Sequence, residues 1–101
     1  MGYYQQSLKQ VNKRIVETKK AIAVNKLAIK DNSPLVGALK HTIANIHRKG
    51  EQATALQAEL NLRRSFLRDL NAAQAHNRQY LREMYILRRG FIDEWVASEE
   101  S

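Results

Sequence analysis

Cysteine is absent from the 101 residues, proline occurs once and glycine four times. Without Cys the chain has no disulfide, no thiolate nucleophile and no Cys-ligated zinc, which fits a cytoplasmic setting. Apolar runs never exceed a few residues, far short of the ~20 that span a bilayer, so no membrane span is expected. The start has Gln6 where a myristoylation signal needs Ser or Thr, and the basic segment 1–30 is poorer in Arg and Ser than a transit peptide. The chain therefore reads as unprocessed.

Catalytic and metal-binding patterns are missing too. His41, His47 and His76 are never three or four residues apart, so no helical metal pair forms. No Gly-rich phosphate loop, dinucleotide fingerprint or Ser-nucleophile motif occurs. Glu59, Asp69 and Glu83 each lie within four residues of an Arg, as ordinary helix ion pairs do. No enzyme, no cofactor and no metal are expected.

Acidic residues are scarce in the first half. Residues 1–50 hold ten Lys and Arg against Glu17 and Asp31, whereas residues 51–101 hold seven Arg against eight acids, giving a net +7. All eight Lys fall at or before Lys49. Lys9, Lys13, Lys19, Lys20, Lys26 and Lys30 form a candidate electrostatic patch for an anionic partner: nucleic acid, an acidic protein or a lipid surface. The plainer alternative is that these Lys keep a helical exterior soluble.

What the sequence has is periodicity. Alternating steps of three and four link Ala53, Leu56, Leu60, Arg63, Leu67, Leu70, Gln74, Asn77, Leu81, Met84, Arg88, Phe91 and Trp95. That spacing puts them all on one stripe of an α-helix, the seam of a coiled coil or bundle. Phe66, Ala73, Tyr80 and Leu87 recur beside the stripe and widen it. A second seam runs through Tyr4, Leu8, Val11, Ile15, Thr18, Ile22, Asn25 and Ile29, with Val16, Ala23, Val24 and Leu27 on another strip of the same helix. A single partner helix could not cover both strips.

The expected fold class is all-α: a long antiparallel helical hairpin, or coiled-coil-like bundle, with an extended C-terminal helix, in a single domain 1–101. The expected elements are a helix 3–30, a turn 31–34, a long helix 34–89 and a short helix 91–97. Asn32, Ser33 and Pro34 supply the turn, because Ser is a good N-cap and Pro suits the first helical position. Folding there would bring Ile22 near Ile43, Ile15 near Gly50 and Leu8 near Leu56.

Gly50 is ambiguous. Cations precede it as at a helix end, yet no capping residue follows and the apolar spacing runs through it with one skipped step. A continuous or kinked helix is favoured, with a three-helix bundle broken at Gly50 as the alternative. With the turn at 31–34, residues 63–98 have a seam and no intrachain partner, so self-association is expected.

Arg64, Arg68, Tyr85, Arg88, Arg89, Phe91 and Trp95 are the candidate partner-binding residues. Arg heads suit phosphate or carboxylate, and Arg with aromatics is the makeup of interface hot spots. The competing account is that Phe91 and Trp95 close the end of the bundle. The leading expectation is a non-catalytic interaction or structural protein, of the size of small viral or mobile-element accessory, adaptor or inhibitor proteins. It would form a homo-oligomer and dock on a larger anionic or nucleic-acid-containing assembly. The alternative is a basic protein contacting nucleic-acid phosphates non-specifically.

Overall fold

The computed structural model describes residues 2–100; Met1 and Ser101, the ends of the expected 1–101 domain, lie outside the described residues. The fold is all-α. Two helices of nearly equal length, α1 (Tyr3–Arg48, 46 residues) and α2 (Thr54–Glu100, 47 residues), form an antiparallel hairpin. The seam expected from the spacing is observed: each of its positions from Tyr4 to Ile29, and from Ala53 to Trp95, is buried or half-buried.

The turn is elsewhere than expected. Residues 31–34 are helical, and α1 runs through Pro34. Proline removes the amide donor that would bond the Lys30 carbonyl and costs ~3 kcal/mol inside a helix. Two features offset that cost. Pro34 is exposed, so its ring lies away from the packed seam. Beyond it, Val36 and Ile43 are buried with Leu60 and Ala53, at about 1.5–3 kcal/mol for each large aliphatic side chain. Asn32 and Ser33 also turn their side chains back along the helix, donating to the Ala28 and Ile29 carbonyls at 2.7 and 2.8 Å. Neither side chain caps a new helix.

Gly50 ends α1. Its φ of +76° lies in the left-handed region that favours glycine. The Glu51 amide donates to the Ile46 carbonyl (3.2 Å) and the Gly50 amide to that of His47 (3.0 Å), the paired bonds of a Schellman cap. The expected continuous helix 34–89 is therefore corrected to a break at residues 49–53. The expected break at Gly90 is not made either: α2 continues through it, so the short helix 91–97 is part of α2. One helical Gly costs ~1 kcal/mol, which the flanking seam contacts offset.

The chain packs as two compact units. The turn unit, Val24–Gln74, is built on Val36, Ile43, Ala53 and Leu60, flanked by Leu39, Ile46, Leu56 and Leu67. The terminal unit, residues 1–23 with 75–101, is built on Val11, Ile15 and Met84, flanked by Tyr80, Leu81, Tyr85 and Phe91. Ile15 thus packs with Met84, not near Gly50. The seam beyond residue 63, expected to lack an intrachain partner, meets α1. Among the described residues no helix is long and apolar enough to cross a membrane.

Candidate interaction surfaces

In the terminal unit the two sets of candidate residues meet at one ring. Tyr85 has the Lys19 ammonium 5.7 Å from its centroid and the Arg88 guanidinium carbon at 4.9 Å. Both lie within the ~6 Å over which a cation is attracted to an aromatic face. Arg88, half-buried on the seam, also donates across the pair to the Asn12 side-chain oxygen at 3.3 Å. A shallow groove beside this cluster is lined by Tyr85, Ile86, Arg88, Arg89, Ile92 and Asp93. Arg89 is exposed there, and Asp93 tempers its field.

Phe91 packs against the core of the terminal unit. Tyr3 meets Phe91 edge-on at 6.1 Å and Tyr4 at 5.2 Å. Trp95 is half-buried, and its indole N–H donates to Glu99 at 3.1 Å. Lys9, Lys13, Lys19 and Lys20 are exposed along α1.

The turn unit holds Arg64 and Arg68, both exposed, with Arg68 donating to the Ser65 hydroxyl at 3.3 Å. Lys26 and Lys30 are exposed as well. Arg63, on the seam, pairs with Glu59 one turn before it at 3.2 Å. That is the one ion pair among the described residues, and it is the i,i+4 kind worth a few tenths of a kcal/mol.

This unit has two unlike sides. Flanking the seam on one side are Ala28, Leu35 and Thr42 of α1 and Glu59, Phe66 and Ala73 of α2, with Val24 and Leu62 in the next rows out. Asn32, Glu59, Leu62, Arg63 and Phe66 line a shallow groove there. On the other side the flanking residues are Lys26, Ser33 and Lys40 of α1 with Gln57, Arg64 and Asn71 of α2. His47, Thr54, Gln57 and Asn61 contribute to a groove on that side.

Exposure of the apolar side is large: Leu62 73%, Val24 65%, Phe66 49% and Leu35 45%. Leu35 and Leu62 are not among the candidate residues that the sequence suggests. Their signal is an i,i+4 apolar pair, Leu62 and Phe66, lying off the seam where a soluble two-stranded coil carries charge.

His41, His47 and His76 are all exposed, and among the described residues no group of three His, Asp or Glu could hold a metal ion. Compared with protein-family models, curated proteins and solved structures, the chain matches none.

Proposed function

We propose that this chain is a non-catalytic helical interaction protein that self-associates and docks on a larger anionic or nucleic-acid-containing assembly. Its surface area carries the reading. A folded monomer of 11.7 kDa exposes about 5,900 Å², whereas this chain exposes 7577 Å². The excess, roughly 1,700 Å² on one chain, is about twice the ~800 Å² that a standard interface removes from each partner, so there is surface enough for association. No large side chain among the described residues is fully buried, so a core is shared thinly along the seam. Because α1 takes up the seam, self-association is assigned to residues outside it.

Charge supports the second half of the proposal. Apart from Arg63, the cations have no acidic partner in an ion pair among the described residues, and so are available to an anionic surface. The same observation favours the alternative, a protein that binds nucleic-acid phosphates on its own.

A salt series separates the two readings. Sedimentation should report more than a monomer at micromolar concentration, with little change from low to high salt, because apolar contact is not screened. Binding to a short labelled DNA duplex should be weak and fall steeply with salt. Tight duplex binding by a strictly monomeric chain would put the alternative in its place.

A further inference from the structure

We infer that the apolar side of the turn unit is a self-pairing face that seats a second copy of this chain, centred on Leu35, Leu62 and Phe66. This rests on the self-association reading above and says where it happens. In an antiparallel helix pair, like flanks of the two seams lie on the same side. The groove joining Asn32 of α1 to Leu62 and Phe66 of α2 marks that side in the turn unit. The groove joining His47 to Gln57 and Asn61 marks the other.

One side therefore carries Ala28, Leu35, Thr42, Phe66 and Ala73 next to the seam with Glu59 as its charged member, and the other Lys26, Ser33, Lys40, Gln57, Arg64 and Asn71. Flanks of a two-stranded coil are normally charged because water wets them. A flank that is mostly apolar and small on one side only is the pattern of helices with a further neighbour there, as in a four-helix bundle.

A second copy suits this face on area. The half-to-mostly exposed side chains Val24, Leu35, Leu62 and Phe66 leave on the order of 450 Å² per chain, and their Ala neighbours and rim take a symmetric pair to about the 1,000 Å² a specific interface needs. Identical faces brought together by a two-fold axis are apolar against apolar along the same length, with no further design of the partner required. Asp31 and Asp69 lie in the outer rows of this side, where a polar rim belongs.

The absence of Cys makes the test clean. Single variants Leu62→Cys and Arg64→Cys place one thiol on each side of the turn unit, both at positions exposed in the lone chain. Maleimide labelling is followed while the protein is concentrated from the nanomolar to the high micromolar range. The Leu62→Cys thiol should become about tenfold slower to react as copies associate, and the Arg64→Cys thiol should not.

In parallel, Leu62→Glu with Phe66→Glu should weaken self-association about a hundredfold, as removal of central apolar side chains does. Arg64→Glu should change it less than threefold. If the double variant loses its helix by circular dichroism, the labelling pair decides the question alone. Self-association that protects Arg64→Cys and leaves Leu62→Cys reactive would overturn this face and leave the broader reading standing. A wild-type chain that stays monomeric, with both thiols reactive throughout, would overturn both.

Discussion

Pro34 and Gly50 belong to the same unit, and the backbone treats them in opposite ways. Pro34 lies within α1, its missing hydrogen bond tolerated, while Gly50 takes a φ of +76° and ends the helix. The seam explains the difference. Through Pro34 the three-four spacing holds phase: Ile29, Asn32, Val36, Leu39, Ile43 and Ile46 all face α2 and are buried or half-buried. At Gly50 the phase slips, because Ala53 and Leu56 follow at two steps of three. A helix kept straight through Gly50 would keep Leu60, two heptads from Ile46, on the stripe but turn Leu56 and Arg63 off it. Burial of whole side chains outweighs one missing amide, and it gives no reward for continuing past a slip in phase.

The largest effect should come from removing that burial. Leu60 is only 3% exposed and packs with Val36, Ile43 and Ala53, the side chains that hold the chain helical beyond Pro34. Leu60→Ala should cost about 2–4 kcal/mol, as other core truncations do. Urea denaturation at fixed protein concentration measures it. Ile22→Ala, at a half-buried position, should cost less. A cost for Leu60→Ala below ~0.5 kcal/mol would mean that the core does not hold α1 through Pro34.

How much is legible in the sequence follows from the same residues. Both seams can be read because burial here depends on spacing alone, and every position on them is buried or half-buried. The turn is misplaced by sequence reasoning because Ser33 and Pro34 have the chemistry of a helix start, while the Ser33 hydroxyl serves a helix interior. The skipped step at Gly50 is visible, but Ala53, which precedes the first residue of α2, has no capping side chain and so argues against a break. The candidate residues Arg64, Arg68 and Arg89 are exposed, whereas Phe91 also packs on the core of the terminal unit. The apolar side of the turn unit is hidden for another reason. Which residues of α1 lie beside Phe66 depends on where the chain reverses, and moving the turn re-pairs every residue across it.

Pro34→Ala gives an intermediate effect of the opposite sign. Alanine restores an N–H to the Lys30 carbonyl and removes the ring, and the exposed ring takes no part in packing the seam. Stability should rise by about 1–3 kcal/mol, less than the full helix-propensity gap because the helix already accommodates the ring. Thermal unfolding of the variant beside the wild type reads the change. A fall in stability would show that Pro34 fixes a bend that the seam requires.

The smallest effect should be at Gly50, where the backbone is strained for any side chain with a Cβ. Nothing lies within 4 Å of where that Cβ would sit, so a substitution meets no steric clash with neighbours. The whole cost is then conformational. Holding an L-residue in the left-handed region costs roughly 1–2 kcal/mol, and alanine also gains stability by narrowing the unfolded ensemble by about 0.4–1 kcal/mol. Gly50→Ala should therefore destabilise by only ~1 kcal/mol, with the opposite sign to Pro34→Ala. Asparagine tolerates this conformation better, since its side chain bonds locally to the backbone, so Gly50→Asn should cost less than Gly50→Ala. Urea midpoints of the two variants check this order. If Gly50→Ala instead stabilised the chain, helix would be extending through residue 50, and the hairpin would have to turn somewhere else.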